Sequence, residues 1–313
     1  METENQAGFR ATSTEELDSV LEKFWDVQSR ERGLAFKPQP SDIIISPYAK
    51  SGTTWLQQIA HGLRTRGSMD FKEINEVTPW IEVAYDVGWD LEGPQVAEPR
   101  IFKSHLSWYD IPKGGRYICS FRRANEAIVS FYRFFEGWMF EPGTISLETL
   151  IAWRWPRDEL DKLGYWYHLS SWWKQRQNKD VLLLCFEDMK EDLPGTVQKI
   201  ARFMDIPLDD ELRDIVVRQS SHAFMMDHMH QFDESHMRQI GGKRAGLPPP
   251  IDTNKVTSGP PDKARYQLSP AIKKTLDEIW QEQITPRFGL ASYEELRQSL
   301  RELHLSSNWG AAG

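Results

Sequence analysis

Four short apolar runs, Asp42 to Ser46, Arg100 to Lys103, Arg116 to Phe121 and Val181 to Phe186, punctuate a chain whose other hydrophobic positions recur at helical spacing. Such runs suit strands buried on both faces of a parallel sheet. Helical patterns cover Thr54 to Arg66, Asn125 to Phe135, Tyr165 to Gln177, Leu193 to Met204 and Asp209 to Gln219, and Pro270 to Gln283 closes the series. The alternation predicts an α/β fold, a single domain over 1–313 with a central parallel sheet flanked by helices. In such a sheet, ligands sit beyond the carboxyl ends of the strands. Thr65 to Pro99 and the Gly- and Pro-rich Gln239 to Pro261 have no clear period and are candidate lids. Residues 1–12 and 304–313 are expected to be mobile coils.

The end of the first run carries the most specific local signal. Residues 47–55 read Pro-Tyr-Ala-Lys-Ser-Gly-Thr-Thr-Trp, a strand-loop-helix junction. A loop with Gly52 opening a helix aims backbone N–H groups and a helix dipole at one point. Lys50 adds a full charge there, and Ser51, Thr53 and Thr54 add hydroxyl donors, so phosphate or sulfate oxygens are the natural guests. The ordinary phosphate loop also joins a strand to a helix, but its lysine follows the second glycine, whereas Lys50 precedes Gly52. A nucleotide-dependent kinase is therefore a secondary reading, and a simple Ser/Thr-rich helix cap is the bland one.

Bulk properties narrow the field. The 313 residues are 40% hydrophobic and 27% charged, enough for a large core. A net charge of −8 disfavours a nucleic-acid partner and makes any anion site depend on local cations. Cys119 and Cys185 each lie inside an apolar run and read as inert reduced thiols. The acidic beginning of the chain lacks the order of a secretory signal, and no apolar run approaches the length of a membrane span, so the expected location is cytoplasmic. His228, His230 and His236 match no metal-ligand spacing, and no metal is expected.

The other strand ends also carry polar groups. Lys103, Ser104 and His105 follow the second run, and a histidine there can take a proton from an attacking hydroxyl. Arg122 ends the third run, and Ser130 lies two helical turns on, a fork and a hydroxyl suited to a phosphate monoester. Trp153, Trp155, Trp166, Trp172 and Trp173 are spaced like packing residues, whereas Trp80, Tyr85, Trp89, Trp108, Phe135 and Trp138 flank the expected site as candidate walls of an apolar pocket.

Lys-Ser-Gly-Thr-Thr-Trp at 50–55, Lys-x-His at 103–105, Arg122 with Ser130, Trp172-Trp173 and Glu-Asp-Met-Lys-Glu at 187–191 occur in the order and spacing of one family. The chain resembles the cytosolic sulfotransferases, whose donor is 3′-phosphoadenosine 5′-phosphosulfate. The resemblance implies that residues 50–54 hold the 5′-phosphosulfate and that Lys50 neutralises the leaving phosphate. Trp55 would stack on adenine, and Arg122 and Ser130 would hold the 3′-phosphate. His105 would be the general base and Lys103 would steady the transferring group. It also implies that Ser220 touches adenine and that Lys255 and Gly259 belong to a C-terminal donor loop. The acceptor would be a small, partly apolar hydroxyl compound or, less favoured, an amine. Three departures stand out: Ala49 replaces a proline, Phe186 replaces a tyrosine, and Asn254 stands where the family has arginine. Lys243 or Arg244 is expected to supply that missing charge. A binding protein that retains the nucleotide without chemistry is the non-enzymatic alternative. From Lys263 onward the family's dimer motif is poorly formed, which leaves a homodimer open.

Overall fold

The four apolar runs become β1 (Ile43–Ile45), β2 (Ile101–Lys103), β3 (Arg116–Phe121) and β4 (Val181–Cys185). All neighbouring pairs are parallel, in the order β2-β1-β3-β4. The structure, a computed structural model, describes residues 8–154, 164–251, 256 and 266–306. Successive side chains of each strand enter two different cores, which is why the runs are apolar throughout rather than alternating. Ile43, Ile45, Ile101, Ile118, Leu182 and Leu184 face one core, and Ile44, Phe102, Tyr117, Cys119 and Leu183 face the other.

The chain leaves β1 toward β2 on one side and later returns to β3 on the other. The carboxyl end of β1 is therefore the topological switch point, where a crevice must open between divergent connections. Helix α3 (Thr53–Thr65) connects β1 toward β2 and packs with α9 (Leu193–Phe203) and α10 (Asp210–Gln219). The short α4 (Ile74–Val77) follows α3, and α8 (Phe186–Glu191) links β4 to α9. On the other face lie α1 (Thr14–Phe24), α2 (Val27–Leu34), α5 (Ala124–Phe135), α6 (Leu147–Arg154) and α7 (Tyr165–Trp173). Then come α11 (His222–Asp227), α12 (Ser235–Ala245), α13 (Pro270–Gln283), α14 (Thr285–Phe288) and α15 (Tyr293–Ser306). Among the described residues no helix is long and apolar enough to cross a membrane.

Four expectations change. The ends are structured further out than 12 and 304: Ala11 N–H bonds the Met139 carbonyl, and α15 runs to Ser306. Helix α1 has its own local code, because Ser13 Oγ caps Glu16 N–H and Leu17, Val20 and Phe24 form a buried stripe. The segment from Gln239 is not irregular at its start, since α12 continues to Ala245 and ends on Gly246 with φ 69°. Helix α7 stops at Trp173 rather than Gln177. Cys119 and Cys185 are buried free thiols, and burial pushes both well above the ordinary thiol range.

The two ends of the sheet are secured differently. At the amino end, the Arg100 guanidinium donates to both oxygens of Asp42 at 2.9 and 2.7 Å, joining β2 to β1 in a bidentate pair. At the carboxyl end, α7 supplies neutral donors: His168 Nε2 donates to the Ser46 carbonyl at 3.1 Å, and Trp172 Nε1 donates to the Leu106 carbonyl at 3.1 Å. Burial holds His168 at about 3, and burial beside Arg64 holds His61 at about 3, so both rings are neutral in the fold. Unfolding frees both to bind protons below about pH 6.5, so their stabilisation is complete above that pH and is lost as pH falls toward 3. Denaturant titrations between pH 7 and 5 should show stability falling, by at most about 1.4 kcal/mol per pH unit per histidine. His168→Gln should make that slope shallower by about one proton; an unaltered slope would refute the assignment.

Candidate active site

The loop after β1 turns sharply at the switch point. Lys50 and Gly52 have φ of 68° and 101°, which folds the chain back so that α3 starts at Thr53 with no side-chain cap. Orphan N–H groups and the positive end of the helix dipole are thereby left facing the crevice. Position 52 must be glycine twice over: the φ is left-handed, and a Cβ would lie 3.0 Å from the Phe186 ring and 3.5 Å from Ser120 Oγ. From β3, Ser120 Oγ donates to the Ser51 carbonyl at 2.5 Å and Arg122 Nη1 donates to the Lys50 carbonyl at 2.8 Å. The Ser51 and Thr53 hydroxyls are buried with no hydrogen-bond partner among the described residues. An orphaned buried hydroxyl costs about 1–3 kcal/mol, so the pair fits a bound group rich in acceptor oxygens. Thr54, next on the helix, is half-buried.

His105 enters from β2. Its Nδ1 lies 2.9 Å from the Pro47 carbonyl, and its backbone N–H donates to Glu82 at 2.8 Å. A proton on Nδ1 donated to that carbonyl puts the basic lone pair on Nε2. Trp80 packs its indole edge-on against the imidazole, centroids 5.1 Å apart. Burial raises the carboxyl of Glu82 above the usual range, with His105 N–H working the other way. Lys103, two residues earlier, is almost wholly buried, paired with Glu234 and 3.8 Å from the Trp80 ring centre. Lys50 Nζ lies 4.0 Å over Phe134.

The third strand end supplies Arg122, whose guanidinium lies 4.3 Å over Phe186 and bonds Glu126 at 3.2 Å. Ser130 lies further along α5 and is half-buried. Trp55 Nε1 donates to the Ser220 carbonyl at 2.7 Å, and its ring meets Phe186 edge-on at 5.6 Å. Ser220 itself is buried, its hydroxyl without a hydrogen-bond partner among the described residues. The structure thus joins Trp55 to Ser220, Arg122 to the loop at Lys50 and His105 to the same loop at Pro47, with Trp80 touching both His105 and Lys103.

Residues 40–288 match the sulfotransferase domain family. The chain belongs to that family. It is 32% identical over 204 residues to sulfotransferase 1B1 of Canis lupus familiaris, an alignment spanning 61% of this chain and 68% of the relative. It is 30% identical over 238 residues to sulfotransferase 1C2 of Rattus norvegicus, spanning 70% and 77%. Its fold is similar to retinol dehydratase solved with retinol and PAP, with a TM-score of 0.65 at 16% identity, covering 88% of this chain and 97% of the other. Mouse SULT7A1 solved with PAP gives a TM-score of 0.63 at 18% identity, covering 89% and 96%. The unpartnered Ser51 and Thr53 hydroxyls beside Gly52 suit the oxygens of a phosphate- or sulfate-bearing ligand.

The aromatic neighbours of the site are partly those expected. A run of ring contacts leads from His105 through Trp80 to Trp25 at 5.6 Å, Phe24 at 4.8 Å, Trp138 at 5.3 Å and Phe134 at 5.0 Å. It ends under Lys50 and so returns to the donor loop. Phe24 and Trp25 were missed because α1 was not read as a helix, although paired aromatics ending an amphipathic stripe were a usable sign. Phe135 packs at 6.0 Å behind Trp138. Trp108 is a correction: it packs on Tyr117 and Trp172 in the core, at 5.0 and 5.4 Å. Tyr85 stacks under Arg32, and Trp89 leans on His236.

Lys255 and Gly259, expected in a C-terminal donor loop, lie outside the described residues. Arg244 is already committed: it donates to the Phe24 carbonyl at 2.9 Å and to Asp86 at 3.0 Å, packing α12 on α1. Its position gives no support to a role on the 3′-phosphate, and Lys243 beside it is exposed. Gly52→Ala should leave the sheet folded but weaken PAP binding by roughly tenfold or more, since alanine is strained at the left-handed φ of 101° and its methyl, 3.0 Å from the Phe186 ring, forces that ring to shift. Calorimetric titration with PAP checks this; unchanged affinity would mean the loop does not hold the donor.

Proposed function

We propose that this sulfotransferase sulfonates the hydroxyl of a small, largely apolar acceptor, with His105 as the general base. The observation that carries the reading is the His105 Nδ1 bond to the Pro47 carbonyl, which turns Nε2 into the acceptor of a proton within the wall of aromatic rings. When bound, the donor supplies a sulfuryl group activated by an anionic phosphate leaving group. His105 Nε2 takes the proton as the acceptor oxygen attacks sulfur, and the sulfur–oxygen bond to the 5′-phosphate breaks. Lys50, the Ser51 and Thr53 hydroxyls and the amino end of α3 stabilise the charge gathering on that phosphate oxygen. Trp55, with Ser220 and Phe186, forms the adenine side, and Arg122 with Ser130 the 3′-phosphate side. Lys255 and Gly259 complete the donor set on the strength of the family resemblance.

The acceptor reading follows from Trp80, Trp25, Phe24, Trp138 and Phe134, rings that favour a flat or elongated apolar body over a sugar or peptide. Retinol dehydratase has been solved with retinol and with androsterone, which makes those two alcohols suitable first probes. We place the reaction in the cytoplasm, in keeping with the cytosolic-type family and two buried reduced thiols.

His105→Ala should lower transfer from labelled donor to phenols and apolar alcohols by at least about 100-fold while PAP binds within a few-fold of the parent. Lys50→Ala should lose both transfer and PAP affinity. Turnover of His105→Ala close to the parent would remove the base assignment.

A further inference from the structure

Lys103 is held unusually firmly for a side chain at a strand tip. Its backbone N–H donates to the Pro79 carbonyl at 2.8 Å and its carbonyl accepts from Ile81 N–H at 2.9 Å, so the main chain is fixed on both sides of Trp80. The ammonium then meets two partners: the Trp80 ring, 3.8 Å from its centre, and the Glu234 carboxylate. Lysine and glutamate are 1% and 3% exposed, so each charge depends on the other.

Glu234 reaches this position by an uncommon route. It is the residue before α12 and has φ 52° and ψ 36°, a left-handed conformation that a non-glycine residue adopts at a cost. A residue at a helix start ordinarily turns its side chain onto its own helix. Here Glu73 does that work instead, accepting from His236 N–H at 3.0 Å and from Ser235 Oγ at 3.2 Å. The Glu234 side chain is thereby released to point inward. It also accepts from Asn75 at 3.4 Å, and Asn75 accepts from Gln57 at 2.9 Å, one helical turn along α3 from Thr53. The network joins the donor helix, the strand that carries His105 and the start of α12.

We propose that Glu234 is a positioning residue for sulfuryl transfer, acting through Lys103. It fixes the ammonium against Trp80, the same ring that abuts His105, beside the path between base and donor. The inference rests on the sulfotransferase reading and on the part given to Lys103. A buried pair with a merely structural part would contribute to stability without separating turnover from binding.

The test is a cycle of Glu234→Gln, Lys103→Met and the double variant, assayed for kcat with labelled donor, for PAP affinity by calorimetry and for melting temperature. Glu234→Gln should lower kcat roughly tenfold or more with PAP affinity within about twofold. Added to Lys103→Met, the same change should alter kcat by less than about twofold, because the group it acts through is gone. An undiminished loss in the Lys103→Met background, parental kcat in Glu234→Gln, or a parallel fall in PAP affinity would each overturn the proposal. His105→Ala in the same assay separates the two readings. Loss there with a parental Glu234→Gln rate overturns only the role of Glu234, while parental rates in both overturn the catalytic reading as well.

Discussion

The hydrogen bond between His105 Nδ1 and the Pro47 carbonyl is the constraint on which the site depends. It joins the exit of β2 to the loop leaving β1, so that the proposed base and the donor loop are placed by one contact of 2.9 Å. Such a bond defines both the position of the ring and its tautomer. The surrounding contacts reinforce the same junction: Ser46 Oγ donates to the Leu106 carbonyl at 2.9 Å, and Ser46 N–H donates to the Ile118 carbonyl at 2.8 Å. His168 and Trp172 brace it from α7. The loop can be buried at this point because the carbonyls of Ser46, Pro47, Lys50 and Ser51 each find a specific partner.

An acidic chain builds a cationic crevice by distributing its charges unevenly along the sheet. At the amino end Arg100 is neutralised by Asp42. At the carboxyl end Lys103 is matched by Glu234 and Arg122 leans on Glu126, while Lys50 rests on an aromatic face. The Phe134 ring face attracts the Lys50 ammonium through its quadrupole. Beyond the site, Asp188 and Glu191 of α8 take up Arg297 and Arg301 of α15.

Much of this was legible because it depends on local chemistry. Ile43, Ile44 and Ile45 have no polar neighbour to expose, so they must lie between two layers. Gly52 between Ser51 and Thr53 announces a turn that no other residue makes easily. Helix α1 is equally legible, through its Ser13 cap and its Leu17, Val20 and Phe24 stripe, beneath the acidic charge of that stretch. Trp108 misled for a different reason. Proximity in sequence to His105 suggested the pocket, but the turn after residue 105 sends the ring back onto Tyr117 and Trp172.

From its amino acids alone the chain determined the strands, the helix that opens at the anion loop, and the residue types able to grip a phosphosulfate donor. These follow from periodicity and side-chain chemistry within a few residues of one another. Only the tertiary structure decided which distant groups meet: Glu234 with Lys103 across 131 positions, Trp55 with Ser220 across 165, and Arg244 with Phe24 across 220. Such pairings depend on how helices pack and on which buried charge finds an opposite one. That free energy belongs to the assembled core and is written in no local stretch of the chain.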